Sequence, residues 1–115
     1  MAAVGRFLRN WRDPKSGRAG YMFWCPGCDV AHSIATAGSP GPTWTFDGNI
    51  EQPTFAPSLL CFTVDNEEKP PKRETLCHLF VRAGQIEYLA DSPHKLGGKT
   101  VPMEPIPSGY GGGED

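Results

Sequence analysis

The chain has 115 residues and a formal net charge of −2, from 11 lysines and arginines against 13 aspartates and glutamates. This length is typical of one domain with a modest hydrophobic core, which a bound metal would help to stabilise. The charge argues against a wholly basic nucleic-acid-binding protein, and no apolar run approaches the roughly 18 residues that span a bilayer.

The two ends of the chain differ in composition from its centre. Residues 1–19 carry several basic side chains opposed only by Asp13, and they are predicted to form a basic arm. The same segment has no apolar stretch or cleavage site of a secretory signal, which favours the reducing cytoplasm. Residues 105–115 are rich in glycine and are predicted to be a flexible acidic tail. The folded β domain is expected over residues 20–104.

Glycine and proline recur at short intervals, which favours many short strands over long helices. The predicted fold class is mostly β: a small single-domain antiparallel sheet, or a partly open barrel, stapled by a zinc site. The charged segment from Asp65 to Thr75 is too polar and proline-rich for a strand and is predicted to be an exposed loop. Strands are expected near residues 20–25, 43–47, 54–64, 76–82 and 85–90.

The most informative motif is a Cys-x-x-Cys turn, Cys25-Pro26-Gly27-Cys28, which follows an aromatic strand. Gly27 can adopt a positive φ, so backbone N–H groups of the turn can point at a thiolate while both sulfurs converge on one tetrahedral ion. Zinc suits such a turn best. The motif therefore predicts a structural zinc site whose remaining ligands come from elsewhere in the chain.

A two-residue loop at residues 83–84 would join the last two predicted strands as an antiparallel hairpin. The register of that hairpin pairs Leu79 with Tyr88. Side chains alternate between the two faces of a strand, so the adjacent Cys77 and His78 should point apart. Only one of these two residues is therefore expected to bind the metal.

Cys77 is the preferred third ligand, because its thiolate matches the cysteine pair. The fourth ligand is left open among the histidines. His94 is preferred because its turn can return toward Cys77, and His32 and His78 are the alternatives. His32, His78 and Asp91 are also candidates for hydrogen-bonding partners outside the metal shell.

Two other roles are open to the cysteine pair. A redox role requires a helix after the first cysteine, but the sequence beyond Cys28 soon reaches a turn-forming run at residues 38–42. A disulfide framework requires a secreted protein, for which the N-terminus carries no signal. Cys61 lies in an apolar predicted strand and is left out of the metal shell.

Several motifs between Phe23 and Pro102 carry a family resemblance: FWCPGC with His32, PTFAPS at residues 53–58, CHLFV at residues 77–81, and DSPHKLGGKTVP at residues 91–102. Together they resemble a family of small uncharacterised proteins of tailed phages and bacteria, some of which carry the label ammonia monooxygenase. The resemblance implies a phage or prophage accessory protein. It implies no oxygenase chemistry. Relatives in that family occur beside bacterial ubiquitin-like conjugation genes, which implies a partner-binding or modification-linked role.

The preferred function is a binding module that acts on a host or phage protein, with no catalytic residues, because three thiolates and one imidazole leave no open coordination position on zinc. The first alternative is a zinc-dependent hydrolase, in which His78, Asp91 or His32 serves as base or orienter. The second alternative is a nucleic-acid-binding zinc domain, which the basic arm and the tryptophans favour.

Overall fold

The computed structural model describes residues 2–38 and 40–108, which form nine strands and no helix. The strands lie in two antiparallel sheets. The first sheet has the order β1 (Ala2–Val4), β2 (Leu8–Arg12), β3 (Ala19–Cys25) and β4 (Val30–Ala37). The second has the order β5 (Thr45–Phe46), β6 (Phe55–Asp65), β7 (Lys72–Arg82), β8 (Gln85–Tyr88) and β9 (Thr100–Pro102). The predicted mostly β, antiparallel fold is confirmed, and the strands do not close into a barrel.

One hydrophobic core joins the two sheets. Phe23 and Ile34 of the first sheet belong to the same buried cluster as Phe55, Leu79 and Ile86 of the second. Each of these side chains is at most 2% exposed. In the described ranges, 2–38 and 40–108, the chain contains no helix with the length and apolarity that a membrane crossing requires.

The hairpin of β7 and β8 has the register that the sequence predicts. Leu79 pairs with Tyr88 and Val81 pairs with Ile86. The loop residue Ala83 has a φ of 49° and the following glycine has a φ of 78°. Positive φ at both loop positions gives the twist that a two-residue hairpin requires. This register directs alternate side chains of β7 into the core.

The prediction that residues 1–19 form a basic arm is corrected, because this segment contains two strands. Part of residues 1–19 forms β1 and β2, and Arg9 of β2 pairs with Met22 of β3. Leu8 of β2 is 2% exposed and lies in the core, whereas Arg9 is half-buried and Arg12 is exposed. The basic composition of the segment therefore hid a strand that contributes a side chain to the core. Strands β4 and β9 were likewise not predicted. Of the predicted tail, residues 109–115 lie outside the described part of the chain.

The prediction of a loop from Asp65 to Thr75 is wrong at both of its ends. There β6 and β7 continue as a two-stranded ribbon, in which Asp65 pairs with Lys72. The Arg73 guanidinium carbon lies 4.3 Å from the ring centroid of Phe62 on the neighbouring strand. Cross-strand contacts of this kind allow charged residues to occupy an exposed ribbon.

Replacing Leu8 tests whether the basic segment is part of the folded core. Leu8→Ala is expected to lower the free energy of unfolding by about 2–5 kcal/mol, because it leaves a cavity under β2. Leu76→Ala is the matched control, because the Leu76 side chain is 41% exposed. Its effect should stay within about 0.5 kcal/mol in the same urea titration. Equal, small effects of both changes would show that the segment is a loose arm.

Candidate functional site

Four potential metal ligands meet between the two sheets. The ligand atoms of Cys25, Cys28, His32 and Cys77 all lie within 4.8 Å of one another. Cys25 ends β3, Cys28 follows it in the turn, His32 lies on β4 and Cys77 lies on β7. Three thiols and one imidazole in such a cluster are a ligand set typical of zinc. The predicted metal site is therefore confirmed as a group of residues that could hold a metal ion.

The imidazole of His32 shows that this group fits a cation. His32 is 8% exposed, and its Nε2 atom is buried without a hydrogen-bond partner in the described part of the chain. A buried polar atom without a partner costs free energy. A metal ion bound by this nitrogen would remove that cost, and the surrounding sulfurs are its natural co-ligands.

His94, the predicted fourth ligand, contacts the cluster in a different way. Its Nε2 atom lies 3.3 Å from the sulfur of Cys77, and its Nδ1 atom accepts the backbone N–H of Leu96 at 3.2 Å. A ring nitrogen that accepts a hydrogen bond carries no proton, so the neutral ring keeps its proton on Nε2 and donates it to the sulfur. This arrangement favours His32 as the ligand and His94 as a donor outside the shell.

The turn between the first two cysteines differs in detail from the prediction. The positive φ belongs to Asp29, at 61°. Gly27 is required for space instead, because a Cβ atom there would overlap the ring of His94. As expected, a backbone N–H of the turn does point at a sulfur: Cys28 donates to Cys25 at 3.3 Å.

Hydrogen bonding shifts the pKa values of two thiols of the cluster in opposite directions. A hydrogen bond from Cys77 holds the pKa of Cys25 down, to about 3, and the same bond raises the pKa of Cys77. The two sulfurs are 3.9 Å apart, and the hydroxyl of Tyr88 donates to Cys25 at 3.0 Å. Burial raises the pKa of Cys28. Without a metal, a thiolate and neighbouring thiols share the protons that a cation would displace.

A second set of polar side chains lies on the outer face of the second sheet. The hydroxyl of Ser58 is 3.3 Å from Nε2 of His78, and Nδ1 of His78 is 3.1 Å from both carboxylate oxygens of Asp91. Because the Nδ1–H donates to the carboxylate, Nε2 is left to accept the serine proton. A hydroxyl, an imidazole and a carboxylate in this order can act as a nucleophile, its base and the group that orients the base.

The strands explain how these residues meet. Leu60 of β6 pairs with His78 of β7, and Ser58 lies two residues before Leu60, in the stretch where the register of the two strands shifts between Phe55 and Leu59. The indole N–H of Trp44 donates to the carbonyl of Ser58 at 3.1 Å and so holds the backbone at Ser58. Asp91 lies in the turn that follows β8.

From the sequence, His78 and Asp91 were alternatives for the metal site and, in the zinc-dependent hydrolase alternative, candidates for base or orienter, but no nucleophile was named. The structure brings both residues to Ser58, which carried no sequence signal beyond its place in the PTFAPS motif. Cys77 and His78 do point apart, so the strand offers one residue to each site. His78 is absent from the cluster of metal ligands found among the described residues.

Comparison with known proteins gives one family. The model of a family described as bacterial ubiquitination-like system serine protease (BubE) matches residues 7–89. This range contains Ser58, His78 and the four clustered metal ligands, and it ends just before Asp91. No curated protein and no solved structure matches the chain.

The metal site is tested by elemental analysis of protein purified without a chelator, which should contain about one zinc per chain. Cys77→Ser and His32→Ala are expected to lose the zinc, because each removes a ligand. His94→Ala should keep it with about 10–100-fold weaker affinity, as expected for a residue outside the shell. Cys61→Ser is the control and should keep it unchanged. Zinc retained by His32→Ala but lost by His94→Ala would reverse the assignment.

The affinity for zinc should fall as the pH falls. Burial raises the pKa of Cys28, and the hydrogen bond to Cys25 raises the pKa of Cys77. Both sulfurs therefore hold protons to a higher pH than ordinary thiols do, and zinc must displace these protons in order to bind. Transfer of zinc to a chromophoric chelator at a series of pH values measures this dependence. An affinity independent of pH would contradict thiol ligation.

Proposed function

The chain belongs to the family of bacterial ubiquitination-like system serine proteases (BubE), and on that premise we propose that it is a serine protease with Ser58 as its nucleophile. The observation that carries the proposal is the continuous line of contacts from the Ser58 hydroxyl through His78 to Asp91. The family match alone names a class of enzyme, whereas these contacts supply the residues that the class requires.

This proposal replaces the prediction of a phage accessory protein that acts as a binding module. That prediction is wrong, because the matching family is described as a protease of a bacterial system. Of the resemblance stated from the sequence, the bacterial origin of the family is supported, as is the link to ubiquitin-like conjugation. The alternative prediction, a hydrolase, agrees better with the family description than the binding module does, although that prediction relied on zinc-bound water.

In the proposed mechanism, the Ser58 oxygen attacks the carbonyl carbon of an amide bond while its proton passes to Nε2 of His78. The resulting imidazolium is stabilised by the carboxylate of Asp91 and then gives the proton to the leaving amine. Water, activated by the same histidine, hydrolyses the acyl ester of Ser58 and restores the enzyme. The carboxylate also keeps the ring in the tautomer that accepts the serine proton.

We assign the metal a structural role within this function. When bound, zinc would tie β3, β4 and β7 together through its four ligands. Cys77 directly precedes His78, so a ligand bond at Cys77 would fix the part of β7 that presents the base of the triad. Thiolate ligands donate charge to the ion and weaken it as a Lewis acid, which favours a structural site over a catalytic one.

The exposure of the triad favours a protein substrate. The side chain of His78 is 24% exposed and that of Asp91 is 63% exposed. Leu76 lies two residues before His78, where the register of β6 and β7 shifts, and it is 41% exposed. An extended polypeptide can reach side chains that are exposed in this way. With the family description, this supports amide bonds of proteins in a ubiquitination-like system as the substrate class.

Labelling with a fluorophosphonate probe tests the nucleophile without knowledge of the substrate. The probe should modify Ser58, identified by peptide mass spectrometry, because the hydroxyl is activated by His78. Ser58→Ala should abolish labelling, and Asp91→Asn should slow it on the order of 10³–10⁴-fold. Ser33→Ala, which changes an exposed serine on β4, is the matched control. An unlabelled wild-type protein, or a label on a different serine, would refute the proposal.

A further inference from the structure

The hydrogen-bond ladder between β7 and β8 is incomplete at the base of the triad. Leu89 lies opposite His78 and donates its N–H to the His78 carbonyl at 2.9 Å. In a regular antiparallel pair, the carbonyl of Leu89 would accept the N–H of His78 in return. That carbonyl instead accepts the N–H of Ser92 at 3.0 Å and that of Gly98 at 3.3 Å, because the chain leaves the strand in a turn at residues 89–92.

The hydroxyl of Ser92 completes the ladder. Its oxygen accepts the N–H of His78 at 2.9 Å, and its proton is donated to the carbonyl of His78 at 2.6 Å. A hydroxyl can do both because it is a donor and an acceptor at one atom. Ser92 is 5% exposed, so removing the hydroxyl would leave a backbone group in a largely buried place without its partner.

The same turn carries the carboxylate of the triad. Asp91 directly precedes Ser92, and 63% of its side chain is exposed. Packing therefore does little to fix the carboxylate, and its position depends on the backbone of the turn. The two bonds from Ser92 attach that backbone to His78, whose Nδ1 the carboxylate must reach.

We infer that Ser92 is a positioning residue of the proposed protease: its hydroxyl fixes the turn that carries Asp91 against the backbone of His78. This inference rests on the proposed function and adds a fourth residue to its machinery. Ser92 touches neither substrate nor reacting atoms, and it acts only through His78 and Asp91.

Fluorophosphonate labelling of Ser92→Ala tests this role. The maximal labelling rate should fall on the order of 10²-fold, the loss expected from a displacement of about 1 Å in a catalytic group. The probe concentration that gives half the maximal rate should stay unchanged, because Ser92 does not contact the probe. Zinc content and the melting temperature are measured on the same sample, and both should be close to those of the wild-type protein.

A double-mutant cycle separates positioning from general structural support. In an Asp91→Ala background, Ser92→Ala should have no further effect on labelling, since there is no carboxylate left to position. Equal losses in both backgrounds, no loss in the wild-type background, or a variant that no longer folds would each overturn the inference.

Proton NMR adds a readout that does not depend on activity. The Nδ1–H of His78, bonded to the carboxylate, should give a low-field signal that is present in wild type and in Ser58→Ala. It should be lost in Asp91→Ala and in Ser92→Ala. A signal that survives Ser92→Ala would overturn the inference. A wild-type protein that shows this Ser92-dependent signal but takes no label would instead refute the proposed function and leave the positioning intact.

Discussion

The alternation of side chains along β7 is the constraint on which both sites depend. Cys77 points into the space between the sheets and is fully buried, whereas His78 points to the outer face and is partly exposed. A strand gives adjacent residues opposite directions without further specification. A shift of one residue in the register would therefore exchange the two residues and destroy the metal cluster and the triad together.

The metal cluster shows how a small β domain uses a polar core. Two sheets of short strands bury a limited apolar area, and a metal ion held by the cluster would join them at the end of β3. The cost of such a cluster is visible in the Nε2 atom of His32, which has no hydrogen-bond partner among the described residues, and in the opposed pKa shifts of Cys25 and Cys77. A cation held by the cluster would satisfy the nitrogen and replace the shared protons, so the arrangement fits a metal site.

The triad is assembled from segments with different structural roles. Ser58 lies on β6, His78 lies on β7 and Asp91 lies in a turn, so strand pairing aligns the first two while the third depends on how the turn is attached. Trp44 and Ser92 each bond to the backbone of one triad member. The cysteines are the most informative residues of the sequence, yet the base of the proposed triad, His78, lies on the opposite face of β7 from Cys77.

The sequence by itself determined the features that depend on neighbours along the chain: the β class, the hairpin of β7 and β8, the Cys-x-x-Cys turn and the opposite directions of Cys77 and His78. These follow from periodicity and turn chemistry, which are local. Only the tertiary structure places His32, rather than His94, in the cluster of potential metal ligands and brings Ser58 and Asp91 to the imidazole of His78. A single serine or aspartate has no local signature, and the tautomer of His94 is set by the Leu96 N–H in the folded turn. Which residues meet across strands depends on register and packing over the whole chain, and no short segment contains that information.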